Sequence, residues 1–598
     1  MRPLTSAYRQ TTAQLALALA LAAAPHAMAA PASGTIAIVG ATVFDGTGAP
    51  PHAATVVIAD GRIADVGPDV KIPKGAKLIQ AKGEALLPGF FDVHTHWVGQ
   101  PATTPQIATA YISAGVTTTN DFNAAPESWA PRRAWISTLA SPHVNMTARM
   151  GMPGGHGADW ADENTIKMFG TAQGARMAMD EVMAYQPDMV KGFHDGWRYG
   201  SGADNNTIDE TTLAGLVSEA HKFHKKVLTH TVTVVRGEEA ARAGVDVVAH
   251  SLQDAEITQK TIDLFKAHGT AYAPTLAVYE PQKPGQPPRR DDTGLRSSIA
   301  RFDHALHNVK RMQDAGVLVA LGTDAGMPGT PHGFATLHEM ELMVRAGLTP
   351  TEALMAGTAN SAKAIGLIED RGTIEKGKRA DLVLIKGTPW TTIADVHKTD
   401  RTFVDGRQVF GPGVALPAAN LATSLAPVKI AAKIDDFEAA NGRTLLDTLR
   451  VNDVERGRER TTQVMTLIDR APGNHALNVA AKMSYTDDPQ SGVILPLTRG
   501  SIQPGDITAY HGVRFEIRGG AGAYKLVLNS LEGSWAAPVK AGAEWQKIEV
   551  PFSALSFTGK ANAPGSTWSG KDLTSVEVTG STKPDETLWW QIDNVEFY

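Results

Sequence analysis

Six residues, His94, His96, Lys191, His230, His250 and Asp324, stand at or just beyond the ends of short apolar runs, such as Val227-Leu228-Thr229-His230 and Ala320-Leu321-Gly322-Thr323-Asp324. In an extended chain, residues two apart project to one side, so His94 and His96 of Asp92-Val93-His94-Thr95-His96 can grip one ion together. Alone, a His-x-His is weak, and a polar strand end would produce it as well. His230 and His250 follow apolar runs in consecutive units, which makes them candidate ligands of a second ion, with buried core histidines as the alternative. Lys191, in Asp188-Met189-Val190-Lys191-Gly192, ends another run. A buried ammonium is costly, and desolvation favours the neutral amine, which can capture carbon dioxide as an anionic carbamate and bridge two metals. The alternative is a lysine that reaches solvent or pairs with Asp195. Asp324 can take a proton from an attacking water and return it to the leaving group, or it can be an N-cap.

Such side chains need a frame that brings strand ends to one rim. From Pro88 to about Leu367, apolar strand candidates alternate with helical patterns, which predicts parallel βα units. Eight strand candidates are counted: Phe90 to Val93, Val116 to Asp121, Val144 to Arg149, Met189 to Phe193, Lys226 to His230, Val245 to His250, Ala271 to Thr275 and Leu318 to Asp324. Helical stretches Ala172 to Tyr185, Thr211 to Lys225 and Glu256 to His268 separate several of them. The fold class expected is α/β, a (β/α)8 TIM barrel over residues 88–367 with its active site at the carboxyl ends of the strands. Residues 34–87 and 368–410 carry short β-rich runs with turns such as Asp60-Gly61 and Asp405-Gly406, and are read as one small β-sandwich split by the barrel. Residues 411–430 read as a linker, and 431–598 as an all-β jelly-roll domain with short, evenly spaced strands.

The bulk numbers agree with an ordinary globular enzyme. The 598 residues exceed one core, 43% are hydrophobic and 20% charged, and the net charge of −6 leaves no basic footprint for nucleic acid. Residues 1–29 combine Arg2 and Arg9, the Ala/Leu run Leu15 to Ala24 and the small-residue site Ala27-Met28-Ala29, which reads as a secretory signal peptide too short to span a membrane. Removal of that leader makes the chain two charges more acidic. The absence of cysteine excludes disulfides, thiolate ligands and a cysteine nucleophile, leaving histidine and carboxylate as the metal-binding side chains. The expected location is the periplasm or the exterior.

The order PGFFDVHTH, Lys191, His230, His250 and GTDAG, with the stretch Gly372 to Leu382 (GTIEKGKRADL), closely resembles the amidohydrolase superfamily. Within it the chain is similar to the imidazolonepropionase-like and Xaa-Pro dipeptidase-like members. Shared motifs are Ala114-Gly115-Val116-Thr117-Thr118, Gly154-Gly155-His156-Gly157, Pro274-Thr275-Leu276 and Leu337-His338-Glu339. The resemblance covers Gly34 to about Val409. It implies His94 and His96 on one ion, His230 and His250 on the other, a carbamylated Lys191 bridging, and Asp324 touching the first ion while shuttling protons, with His250 and His156 also near the chemistry. A metal pair of this kind generates a bridging hydroxide and polarises a carbonyl. One departure is Lys191-Gly192-Phe193-His194-Asp195-Gly196-Trp197, which puts bulky groups where relatives carry small ones. The Pro-rich stretch Pro281 to Gly294 is a lid or a solvated loop. The C-terminal domain resembles the complex I intermediate-associated protein family, a galactose-binding-like fold, through Asp436-Phe437-Glu438, Tyr510 to Phe515 and Ile592-Asp593-Asn594-Val595. Trp589 and Trp590 there are candidates for stacking on a carbohydrate, and core packing is their alternative.

The expectation is a secreted hydrolase with two divalent metal ions, zinc first and manganese, cobalt or iron as alternatives. It would cleave an amide bond in a small-molecule substrate, a dipeptide or an N-acyl amino acid. A lactonase, cyclic-amide or ester hydrolase would use the same site, and a deaminase or imidazolone hydrolase would use one metal. In a different class, an inactive barrel would carry a carbohydrate- or partner-binding C-terminal domain. A homo-oligomer is the further expectation.

Overall fold

Seven parallel strands run side by side in chain order: Phe90–Thr95, Val116–Asp121, His143–Gly151, Met189–Phe193, Val227–His230, Val247–Ala249 and Ala271–Ala273. The computed structural model describes residues 34–99, 103–162, 164–457, 459–560 and 563–598. Residues 1–29, read above as a secretory leader, lie outside them. The strands are buried over most or all of their length, Val116–Asp121 and Met189–Phe193 completely, as a parallel sheet under helices requires. Residues 318–325 form the eighth stave through single bridges. Tyr272 N donates to Leu318 O and Ala320 N to Tyr272 O on one side, while Val93 N donates to Leu321 O and Asp324 N to His94 O on the other. Side chains reinforce this thin seam. Asp92 accepts from the Thr323 amide (3.1 Å), the Thr323 hydroxyl (2.7 Å) and the Thr336 hydroxyl (2.8 Å), and Ser361 Oγ accepts from Leu321 N (2.9 Å). Phe91, Val93, Met189, Leu228, Val247 and Ala271 fill the interior below the mouth.

Helices coat the barrel with their apolar faces inward. Ala172–Met183 starts at Thr171, whose Oγ1 accepts from Gly174 N, and buries Ala175, Met179 and Val182. Glu210–Lys222 starts at Asp209, which accepts from Thr212 N at 2.7 Å, and buries Leu213, Leu216 and Val217. Each fully buried aliphatic or aromatic side chain of this kind contributes ~1.5–3 kcal/mol.

The two segments read as a split β-sandwich share one eight-stranded sheet. It forks at Ile36–Val43, whose first half pairs in parallel with Lys77–Gln80 and whose last two residues pair with Glu84–Pro88, with a bulge between. Leu382–Lys386 joins the sheet antiparallel to Glu84–Pro88, in register from Leu382 opposite Pro88 to Lys386 opposite Glu84. The linker is docked: Asn420 bonds both the amide and the carbonyl of Ala140 and the hydroxyl of Thr109.

From Val428 onward the chain builds two sheets, of eight and six strands, nearly all antiparallel, over a core that includes Phe515, Leu526, Val576, Trp590 and Ile592. Trp590 is fully buried and donates to Ser491 Oγ, so it is a core residue and offers no face to a sugar. Trp589, its neighbour on the other side of the strand, is exposed. This domain sits on the barrel. Arg443 makes a two-pronged bond to Glu127 (3.0 and 3.0 Å) on helix Pro126–Ile136, and Gly457 N and Arg460 Nη1 donate to Asp159 O and Ala161 O of the loop after the third strand. Gly500 comes so close that a Cβ there would meet Ser128 Cα at 2.4 Å, at a φ of 59° that side chains disfavour.

Candidate metal centre

All six predicted residues meet at the carboxyl end of the barrel, in a cavity of about 330 Å³ that His156, Phe122, Phe193, Trp160 and Met327 also line. His94 is the fifth residue of the first strand and His96 lies just past its end, so both face inward. Asp324 Oδ1 lies 3.3 Å from His94 Nε2 and 3.0 Å from His96 Nε2, and Lys191 Nζ lies 3.0 Å from His94 Nε2. Ligand atoms of His94, His250 and Asp324 fall within 4.8 Å of one another. The His250 ring lies 4.4 Å from the rings of both His94 and His230, bridging the two histidine groups.

This donor set fits metal. Nitrogen and oxygen ligands held at about 2.0–2.1 Å in a tetrahedron stand roughly 3.3–3.4 Å apart, close to the spacing seen around Asp324. Burial holds His94, His230 and His250 well below the ordinary histidine range, with the neighbouring cationic side chains acting in the same direction, so their lone pairs are free to ligate. Burial also brings Lys191 down to about 7; Asp324 opposes the shift and Arg149 assists it. The neutral amine that carbamate formation needs is therefore accessible near neutral pH. Phe122 lies under the ammonium position at 4.4 Å.

The backbone is strained at this rim. His250, Thr275 and Asp324 have φ of 89°, 48° and 61°, values that cost non-glycine residues about 1–3 kcal/mol each. Neighbouring groups hold the strained positions. Thr275 Oγ1 lies 3.0 Å from His250 Nδ1 and orients the ring. Buried Glu339 accepts from Leu276 N and Ala277 N, both at 2.7 Å, and so fixes the turn that carries Thr275. Asp195 accepts from Val232 N, Thr233 N and the Thr233 hydroxyl, tying the exit of the His230 strand to the Lys191 strand. It is committed to these donors and leaves Lys191 to the cavity. Asp121 accepts from Trp97 N and fixes the turn after His96. In the sequence several of these residues stand out only as parts of motifs. Their signal was position: a polar residue at an apolar strand end, or inside Pro274-Thr275-Leu276 and Leu337-His338-Glu339.

His156 lines the cavity with its ring 4.3 Å from that of His230. Gly157 must be glycine, since its φ is 85° and a Cβ would strike the Phe193 ring at 2.6 Å. Of the bulky groups after Lys191, only Phe193 lines the cavity. His194 is turned into the protein, with Nδ1 against Ile208 O (2.8 Å) and Nε2 against Glu239 (3.1 Å), and Trp197 packs on Tyr199. The Pro281 to Gly294 stretch leans on the loop after Asp324 through Lys283, which donates to Pro328 O and Thr330 Oγ1, and does not line the cavity. A second grouping, His143, Asp381 and Asp405, sits where barrel and small sheet meet. Arg371 and Arg379 pair with its two acids, which makes it an ion-pair network.

Residues 85–409 match the amidohydrolase family. Imidazolonepropionase of Deinococcus radiodurans is 26% identical over 370 residues, covering 57% of this chain and 87% of that protein. Imidazolonepropionase of Salinispora arenicola is 28% identical over 363 residues, covering 56% and 85%. Among solved structures, a Xaa-Pro dipeptidase with bound methionine in its active site superposes with a TM-score of 0.54 at 21% identity, covering 63% of this chain and 99% of that one. Ochratoxinase of A. niger superposes at 0.56 and 21%, covering 64% and 97%. These solved structures superpose over nearly all of their own length, and the family match spans the barrel and the C-terminal part of the small sheet. With a rim of imidazoles, a lysine and an aspartate where that fold places its chemistry, the chain belongs to the amidohydrolase family and is a hydrolase of carbon–nitrogen bonds.

Proposed function

We propose that this protein is an exported two-metal hydrolase that cleaves the amide bond of a dipeptide or an N-acyl amino acid. The observation that carries the reading is Lys191, buried at the centre of the ligand set with its Nζ 3.0 Å from His94 Nε2. A one-metal site has no use for a lysine there, whereas a carbamate on it supplies two oxygens for two ions. His94, His96 and Asp324 would hold one ion and His230 and His250 the other. When bound, the ions acidify water and polarise the scissile carbonyl. Asp324 accepts the proton of the attacking water and delivers it to the departing nitrogen as the C–N bond breaks and the C–O bond forms. His156 faces the substrate, and Phe122, Phe193, Met327 and Trp160 supply apolar walls that exclude bulk solvent.

Metal content of the purified full-length protein tests the reading. About two ions per chain are expected, with both weakened in Lys191→Ala. One ion per chain that Lys191→Ala leaves in place would favour the imidazolone-type chemistry of the sequence relatives instead. A panel of dipeptides, N-acyl amino acids and simple lactones then assigns the bond cleaved. The leader-like residues 1–29 support export, and the absence of cysteine is compatible with it. N-terminal sequencing of protein recovered from the periplasm checks it.

A further inference from the structure

A larger chamber, of about 550 Å³, lies between the barrel mouth and the C-terminal domain. It adjoins the metal cavity, because Asn123 and Trp160 line both. Its barrel wall presents Arg149 of the third strand, in register with Lys191 of the fourth. Arg149 is 2% exposed, its guanidinium lies 4.9 Å from the Trp160 ring centre, and Nη2 donates to Asn123 O at 3.0 Å. Its Nε and Nη1 have no hydrogen-bond partner, and among the described residues no carboxylate reaches it as a direct ion pair; Asp121 and Asp162 act on it only from a distance. A buried guanidinium with two free donors is costly, and an arriving carboxylate would satisfy both in a charge-assisted bond. The C-terminal domain adds Arg456 and Arg460 to the opposite wall, and Arg132 stands on the barrel side. The acids lining the chamber are otherwise engaged. Asp162 is consumed by Asn164 N, Thr165 N and the Thr165 hydroxyl, and Asp453 accepts from Gln490 Nε2 at 2.6 Å.

We propose that this chamber is an anion subsite of the active centre: a carboxylate at the end of the substrate remote from the scissile bond passes Trp160 and pairs with Arg149, with the C-terminal domain closing the far wall. The preferred substrates are thus acidic on that side, an ω-carboxylated acyl group or an acidic side chain. The inference rests on the amide-hydrolase reading for the identity of the bond, and on Arg149, with Arg456 and Arg460 on the facing wall, for the charge.

Paired substrates test it on the metal-loaded, full-length enzyme: an N-glutaryl amino acid and its terminal-amide counterpart, with glutarate titrated calorimetrically as the probe. The acidic substrate should show a KM at least tenfold lower in the wild type. Arg149→Gln should raise that KM tenfold or more with a smaller change in kcat, Arg149→Lys should restore part of it, and glutarate should compete with the acidic substrate. Equal KM values in the wild type, a preference that survives Arg149→Gln, or glutarate binding that does not compete would each overturn the proposal. If neither substrate is cleaved, the titration decides: glutarate binding weakened tenfold by Arg149→Gln upholds the subsite while the hydrolytic reading falls, and binding indifferent to the variant overturns the subsite. If Arg149→Gln does not fold, the doubly substituted Arg456→Ala/Arg460→Ala protein should bind glutarate severalfold more weakly, and unchanged binding overturns the proposal.

Discussion

Metal-stripped protein, returned to zinc at fixed dissolved carbon dioxide, should recover activity at a rate set by the fraction of Lys191 present as neutral amine. Burial, assisted by Arg149 and opposed by Asp324, brings this lysine to about 7. Raising the pH removes the ammonium proton, so recovery speeds up with pH. The neutral fraction is roughly 9% at pH 6 and 91% at pH 8, so the rate should rise about tenfold over that span and level off above it. A lysine at the ordinary value near 10.4 would give about a hundredfold rise over the same span and keep climbing. The assay dialyses protein against chelator and adds excess zinc at each pH with bicarbonate adjusted to hold carbon dioxide constant. Aliquots are then assayed at one common pH. With ¹³C-bicarbonate, a carbamate carbonyl signal should grow at the same rate and be missing from Lys191→Ala. Recovery that ignores carbon dioxide, or a rate still rising steeply beyond pH 9, would refute both the lowered amine and its role as a bridge.

Asp324→Asn should retain bound metal, because an amide oxygen still reaches the ions, yet lose about 10²–10⁴-fold in kcat, measured beside metal content on one sample. Thr275→Val removes the hydroxyl 3.0 Å from His250 Nδ1 without changing shape, and a chelator competition should show metal affinity reduced about 10–100-fold. Arg443→Ala leaves Glu127 buried, its nearest remaining cation being Arg499 at 3.8 Å. About 3 kcal/mol of docking stability should be lost, and limited proteolysis should cut between barrel and C-terminal domain sooner than in the wild type. Gly500→Ala should open the same seam, because the added methyl meets Ser128 on the helix beneath.

Much of the chemistry was legible along the chain because each ligand sits within a residue or two of the end of its own apolar run. A barrel converts that local regularity into convergence, so order and position sufficed for His94, His96, Lys191, His230, His250 and Asp324. Parts of the frame were read with equal directness: strands Val116–Asp121 and Met189–Phe193 have the expected limits. What escaped depends on juxtapositions that no local pattern encodes. Glu339 is 63 residues from the amide of Leu276 that it accepts. Arg149 is, in the sequence, only the last residue of a strand candidate, and its free donors become visible once the C-terminal domain stands opposite. The eighth stave was expected as a strand, but it pairs only by single bridges, with Asp92, Thr336 and Ser361 taking over the work of a ladder. Trp590 and Trp589 illustrate the period of two: adjacent aromatics in one strand face core and solvent, and composition alone does not say which is which.

The split sheet has a bearing on how the chain matures. Glu84–Pro88 is made early, but its antiparallel partner Leu382–Lys386 leaves the ribosome nearly three hundred residues later, about 15–60 s at ordinary elongation rates. Through that interval the small sheet has an unpaired edge of apolar backbone, the kind of template that recruits stray strands. The barrel lies wholly within the intervening segment and can close first, bringing the two halves of the sheet together as its final act. A nascent chain halted before residue 382 should therefore be the most aggregation-prone species this protein passes through, and export as an unfolded polypeptide would defer the whole problem to the far side of the membrane.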